Sequence, residues 1–581
     1  MKKTRLNRKG KQVVMALCII MIMILMLIIF VGIKLYQKYS PSKERMAYQD
    51  YFEMQNEDEV LVYMNDEALK LNDEKLDVLY EDGRCYLPQE YVEACLNCRF
   101  YYDKVTDSII FSVPDDMYYF TADSASYTTM NGQSAQMDYS VVKRANDKFY
   151  IALDYIKEHT DIRYRFYENP KRLFMWTEYA QKTYASLIKD TPIRFRGGIK
   201  SPIIADGLEN QEVEVLQDLE DWIEVRTEDG YLGYVTAKAV GETFNRTETS
   251  TFVDVEAPQA TTFNGKINLV FQAIGSAAYG EAVKEAMSST SGVNVVSPTW
   301  YKLSGGDGDL SSYANADYVR ACHSMNMQVW ALVDDFDITP EERLSVLSDK
   351  NARSRVINKL ISEAASYGFD GINLDFENIN SDTAAHYLQF VRELSFVCRQ
   401  NGIILSIDNY VPREYNSHYN RKEQAFWIDY FIIMGYDEHW KGSPEAGPVA
   451  SIGFVEDGIV KTLEEVPAEK VINAMPYYVR VWTETKNSDG TISMTTRDLG
   501  MEAAKEQLDR NNVPVVWDET VALYYGSYED GNTTVKIWLE TERSIEEKMK
   551  LYKNYNIAGV AGWRLGLEKK AVWSVIGSYL N

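Results

Sequence analysis

From Lys266 onward, short apolar runs alternate with segments of helical period, and this alternation constrains the fold more than any other feature of the chain. The runs fall at 267–271, 293–297, 328–333, 371–376, 403–407, 430–434, 471–475 and 559–563. Between them, 354–367 places apolar residues at 356, 357, 360, 361 and 364 and stops at Gly368. The segment after Ser381 places them at 387, 390, 391, 394 and 397 before Gly402. Strands joined through helices run parallel, because each crossover returns the chain to the same end of the sheet. Eight such strands predict an α/β fold, a (β/α)8 TIM barrel over 263–581. The gap after the seventh run is too long for one crossover and predicts an α+β insertion at about 478–555 in a loop on the carboxyl face.

The fourth run reads Asp370-Gly371-Ile372-Asn373-Leu374-Asp375-Phe376-Glu377. Side chains alternate along a strand, so Ile372, Leu374 and Phe376 turn toward the helices while Asn373, Asp375 and Glu377 turn into the barrel. This polar ladder climbs to Glu377 at the carboxyl end, where barrel enzymes keep their active sites. Two inward carboxylates in a nearly dry lumen cost several kcal/mol unless they share a proton or bind something, which argues for chemistry over architecture. No histidine or further acid stands nearby in sequence, so neither a metal nor a cofactor is expected. Asp375 and Glu377 lie about 6.6 Å apart along the strand and point the same way. They cannot flank a sugar from opposite faces, as the acid and nucleophile of a two-carboxylate glycosidase do, so a nucleophile has to come from elsewhere.

The octad resembles the DxxDxDxE motif of family 18 glycoside hydrolases, with Asn373 in place of the middle Asp. Met434-Gly435-Tyr436-Asp437 is similar to the family's M-x-Y-D, and Trp563 ends the eighth run where the family has the floor of its −1 subsite. Ser297-Pro298-Thr299-Trp300 and Met475-Pro476-Tyr477 look like its strand ends. The resemblance implies a retaining glycosidase in which the substrate's 2-acetamido oxygen attacks the anomeric carbon. Glu377 then matches the proton donor, and Asp375 the group that orients the acetamide and stabilises the oxazolinium ion. Tyr436 matches the hydroxyl on the acetamide carbonyl, with Asp370, Asn373, Asp437, Trp563, Trp300 and Tyr477 as the expected substrate-binding set. An amide at 373 can neither take up nor release a proton, which puts proton movement along this strand in question. The Asn variant, the 482–518 segment and the ending Ala561-Gly562-Trp563-Arg564-Leu565-Gly566 resemble the spore and cell-wall N-acetylglucosaminidase branch, which implies peptidoglycan as substrate. A chitinase needs the same site, because both polymers present the same acetamide. A non-catalytic chitin- or peptidoglycan-binding protein is the remaining reading, and the presence of Glu377 weighs against it.

The rest of the chain reads as a surface assembly. Residues 13–33 are 21 residues without a charge, enough to cross a bilayer, and no small-x-small cleavage site follows them. Lys2, Lys3, Arg5, Arg8, Lys9 and Lys11 in the 1–12 tail predict a cytoplasmic N-terminus, a single-pass protein of the cell membrane and an extracellular catalytic domain. A linker is expected at 34–56. Within 57–180 a gapless repeat runs at an offset of 64, aligning Tyr86, Leu87, Tyr91, Phe100 and Phe111 with Tyr150, Ile151, Tyr155, Tyr164 and Met175. It resembles the stalk modules related to the N-terminal domain of copper amine oxidases, which implies a spacer or wall-binding α+β module. The short strands of 183–243 resemble a bacterial SH3 domain, which implies a wall-binding all-β barrel with Trp222, Tyr231 and Tyr234 as candidate contacts. A linker at 244–262 follows.

Composition closes off other classes. With 86 Asp and Glu against 61 Lys and Arg, the formal charge of −25 repels a phosphate backbone, so nucleic acid is not expected as a partner. Six scattered cysteines are too few for a disulfide scaffold, and Cys95-x-x-Cys98 lacks the second pair that a zinc site needs, leaving structural thiols or one local disulfide.

Overall fold

The computed structural model describes residues 8–54, 56, 59–71 and 74–580; Lys2, Lys3 and Arg5 of the expected basic tail lie outside the described residues. The chain divides into two compact units, Met1–Tyr91 with Tyr150–Asp254, and Val92–Phe149 with Val255–Asn581.

The second unit is built on eight parallel strands: β1 (Ile267–Gln272), β2 (Val295–Ser304), β3 (Gln328–Asp334), β4 (Gly371–Asp375), β5 (Ile404–Tyr410), β6 (Tyr430–Met434), β7 (Val471–Pro476) and β8 (Gly559–Trp563). They pair in the order β1-β8-β7-β6-β5-β4-β3-β2, and β1 also pairs with β2, which closes the barrel. Alternation sorts the side chains into two cores. Leu269, Trp330, Leu332, Ile404, Ile432, Ile472 and Ala474 fill the lumen. Ile372, Leu374, Phe376, Ile407 and Ile433 face outward onto helix residues such as Val356, Leu360, Phe390 and Leu394. The helix Lys350–Tyr367 starts on the Asp349 carboxylate, which accepts from the Asn351 and Ala352 N–H groups, and stops on left-handed Gly368. The helix Ser381–Asn401 starts on Asn380 and stops on Gly402 in the same way.

The insertion is smaller than expected. Its five-stranded antiparallel sheet and the helix Met501–Arg510 span 478–539 and have their own core of Val479, Val481, Ala504, Leu508 and Ile537. The helix Glu542–Tyr555, expected inside the insertion, belongs to the barrel, because its apolar stripe of Ile545, Met549 and Tyr552 packs into the outer core.

The 57–180 module is not one compact body, since Val92–Phe149 belongs to the barrel unit. Tyr101, Ile110 and Met117 pack on Phe396 of the helix Ser381–Asn401. Beneath them Arg353, fully buried, donates to Asp103 at 2.9 Å, to Glu393 at 2.8 and 2.9 Å and to the Leu347 carbonyl at 2.9 Å. Removing the guanidinium strands two carboxylates out of water, so Arg353→Met is expected to destabilise this unit by about 3–5 kcal/mol. Thermal unfolding measures it; a wild-type midpoint would show that the network contributes no stability.

In the first unit the helix Arg8–Tyr39 is 32 residues long, has no buried residue, and is long and apolar enough to cross a membrane. The stretch 34–56 is not a free linker. The helix runs on to Tyr39, Ser42 N–H then donates to the Ile199 carbonyl at 2.7 Å, and Met46 N–H to that of Ile203 at 2.9 Å. The two repeat copies meet where their first strands pair antiparallel, with Leu87 opposite Ile151, its own equivalent at offset 64. Residues 181–247 form a seven-stranded antiparallel sheet over Leu187, Ile193, Val213, Val225 and Val235. Its last strand, Val240–Thr247, extends into the expected 244–262 linker. Trp222 and Tyr234 share one half-buried face across Gly197. Tyr231 does not join them, because it packs on Tyr51, Phe52 and Arg172. All six cysteines are free thiols.

Candidate active site

The register of β3, β4 and β5 stacks polar residues in layers on the inner face. Leu332 pairs with Asn373, which pairs with Ser406; two residues up, Asp334 pairs with Asp375, and Asp408 follows directly after the Leu374–Ile407 pair. The lower layer is tied together: the Asn373 amide donates to Ser406 Oγ and to Asp408 Oδ1, both at 3.0 Å, while Ser297 Oγ donates to Asn373 Oδ1 at 3.4 Å. Asn373 is therefore a clamp inside the sheet, wholly out of solvent, and not a substrate-facing group.

Above it stands a cluster of acids. Asp375 is buried, and its Oδ1 has no hydrogen-bond partner. Burial, then the charges of Asp408 and Glu377, hold its carboxyl well above the usual carboxylate range. Asp408 is raised in the same way, by burial first. Asp334, buried beside them, is pushed up to about 6, chiefly by burial. Glu377 lies just past the end of β4, half-buried; its N–H donates to Asp335 Oδ1 at 3.3 Å, and Arg343 anchors Asp335 in turn. Tyr410 of β5 donates its hydroxyl to Glu377 Oε2. Burial raises the Glu377 pKa against that bond, with the charges of Asp335 and Asp437 adding to the rise. A carboxyl whose protonated form is favoured by burial at the mouth of a barrel is placed to serve as a general acid.

Tyr436, just beyond β6, points into this cluster by the same alternation as Ile432, where the charges of Asp408, Asp375 and Glu377 act on its hydroxyl. Gly435 before it has no room for a side chain, since a Cβ would come within 2.6 Å of Asn473 Oδ1. Asp437 is held from the insertion: Arg480 Nη1 donates to its Oδ1 at 2.9 Å, and so does the Tyr478 hydroxyl. Trp563 ends β8 half-buried with its ring on Phe271 at 5.4 Å.

Three expected site residues lie elsewhere. Asp370 is at the amino end of β4, about 23 Å from Glu377 along the strand. There it accepts from the Val329 N–H at 2.8 Å and contacts His323 Nε2 at 2.9 Å, so it pins the foot of the barrel. Trp300 shares the outward face of Val296 and packs edge-on against Tyr318 and Phe369. Tyr477 shares the outward face of Val471 and Met475 and packs on Trp573 and Gly562. The neighbour Tyr478 reaches the site instead. Asp334, Asp335, Asp408, Tyr410 and Arg480 were not expected. Ser406-x-Asp408-x-Tyr410 does carry the alternating polar signal of the fourth strand, but only register shows that it stands at the same height.

Residues 338–568 match the family model described as Glycosyl hydrolases family 18. The chain is 29% identical over 244 residues to the cortical fragment-lytic enzyme of Bacillus subtilis, covering 41% of this chain and 56% of that one. It is 26% identical over 286 residues to the uncharacterized glycosylase YvbX of the same organism, covering 46% and 80%. Among solved structures, the C-terminal domain of a candidate chitinase from Desulfitobacterium hafniense DCB-2 superposes with a TM-score of 0.50 at 20% identity, over 55% of this chain and all of that one.

Proposed function

We propose that this chain, whose barrel is a glycosyl hydrolase family 18 domain, is a retaining glycosidase cutting β-1,4 bonds that follow N-acetylglucosamine. The observation that carries the reading is the inner face of β4: a raised acid, Glu377, at the rim, and below it Asp375 with a buried, unpartnered oxygen. Glu377 protonates the leaving oxygen as the acetamido oxygen attacks, then takes a proton from the incoming water. Asp375 accepts the acetamide N–H and faces the positive charge that grows on the ring it closes. The Tyr436 hydroxyl holds the acetamide carbonyl, Asp437 contacts sugar hydroxyls, and Trp563 stacks on the C–H face of the sugar.

Peptidoglycan is the proposed polymer. The fragment-lytic relative supports it, as do an apolar helix able to anchor the chain beside a wall and a paired Trp222–Tyr234 face on the SH3-like sheet. The N-terminus is cytoplasmic and the barrel extracellular. Product analysis on wall sacculi and on chitin oligomers tests this: reducing-end N-acetylglucosamine released from sacculi is expected, and cleavage confined to chitin would replace peptidoglycan by chitin.

The pH profile has a signed expectation. Glu377 acts protonated, so the rate falls as pH rises through its pKa. The Tyr410 hydroxyl stabilises the charged form, and losing it raises that pKa further. Tyr410→Phe is therefore expected to move the alkaline limb of kcat/KM to higher pH. A stationary limb, or one moved down, would reject Tyr410 as the partner that tunes the acid.

A further inference from the structure

We propose that Asp375 and Asp408 share a single proton and that Asp408 holds it when an acetamide is bound, leaving Asp375 as the carboxylate that faces the substrate. Asp408 is then a positioning residue, supplying from β5 the acid that β4 lacks at Asn373. The role toward the acetamide rests on the glycosidase reading above; the shared proton does not.

Three observations converge. The strand register sets Asp408 at the height of Asp375 on the adjoining strand, and both side chains are out of solvent. The Asn373 amide donates to Asp408 Oδ1 at 3.0 Å, which fixes that carboxyl beside the lumen while Asn373 itself cannot carry a proton. Asp375 Oδ1 is buried without a donor, an arrangement that is stable only if a proton or a ligand N–H comes to it. The groups facing the pair are Asp334 and Asp335 from β3 and the turn after it, Glu377 beyond β4, which is hydrogen-bonded to the Asp375 carboxyl, Tyr387 from the helix Ser381–Asn401, Tyr410 of β5 and Tyr436 beyond β6. None is a cation. Two adjacent buried carboxylates without a cation cannot both ionise, so they titrate as one pair holding one proton. When the acetamide N–H arrives, the O–H bond on Asp375 breaks and one forms on Asp408. The pair keeps one negative charge throughout, now placed against the substrate.

Infrared spectra of the full chain with carboxyl-labelled Asp read the proton directly. At about pH 7.5, where Asp334 is ionised, the wild type is expected to show a protonated Asp carboxyl stretch that Asp408→Asn removes. Activity gives the second arm. Asn mimics a protonated Asp but not an ionised one, so the factor lost in kcat by Asp408→Asn is expected to be less than a tenth of that lost by Asp375→Asn. A wild-type spectrum without a protonated Asp at that pH overturns the proposal even if neither variant folds, and so does equal loss in the two variants. A wild type that shows the band yet cleaves no N-acetylglucosamine polymer would instead reject the glycosidase reading and leave the shared proton standing.

Discussion

Glu377→Gln is expected to lower kcat by at least about 10²-fold, the lower end for losing a general acid, while the protein melts like the wild type. The amide keeps the shape of the carboxyl and can still accept the Tyr410 hydroxyl, so the strand end stays in place. What goes is the one group at the rim that can hand a proton to the leaving oxygen. Asp334, Asp375 and Asp408 sit below it at the level where an acetamide would bind, and Asp437 is tied to Arg480 and Tyr478. A rate on the natural polymer equal to that of the wild type would remove Glu377 from the mechanism. Asp375→Ala is the companion: it keeps the acid but loses the acceptor for the acetamide N–H, so turnover drops while part of the oligosaccharide affinity survives.

Strands were the most legible part of this chain, because a buried parallel strand is a short apolar run bounded by polar turns. The observed β6 and β8 coincide with the runs at 430–434 and 559–563. The site was legible where one strand carried it. Asn373, Asp375 and Glu377 share the inward side because alternation forces them to, and Tyr436 and Trp563 follow Ile432 and Ala561 by the same rule. That rule applied to β2 and β7 would have turned Trp300 and Tyr477 outward with Val296 and Met475, and resemblance to strand ends was the weaker guide. Asp370 failed for a different reason: a motif is contiguous in sequence, but a strand carries its first residue to the far end of the barrel. Asp408 and Tyr410 were out of reach, since which residues of two neighbouring strands lie side by side is set by register. Period says nothing about that. The repeat shows the same limit, because residues 92–111 match 156–175 in pattern yet belong to the barrel unit, where Asp103 accepts from Arg353 and Tyr101 packs on Phe396.

Turnover is expected nearly to vanish on a substrate whose −1 sugar has lost its N-acetyl group. In a two-carboxylate glycosidase the protein brings the nucleophile, so that group is only a contact. Here the acids of β3, β4 and β5 stand on adjoining strands and cannot reach the opposite face of a sugar whose leaving oxygen Glu377 would protonate. Asp437 arrives from β6 with its Oδ1 occupied by Arg480 and Tyr478, an ion-paired carboxylate and a poor nucleophile. Only the acetamido oxygen is left to attack, and without it there is no covalent route. The same logic makes a thiazoline analogue of N-acetylglucosamine a competitive inhibitor, since the site is complementary to the bicyclic species next to the transition state. Tyr436→Phe is expected to weaken that inhibitor by roughly 1–3 kcal/mol, the loss when a buried acceptor goes unpaired. Acetylated and de-N-acetylated oligomers compared under one set of conditions decide the matter: comparable cleavage of both would overturn the substrate-assisted route and, with it, the roles given to Asp375 and Tyr436.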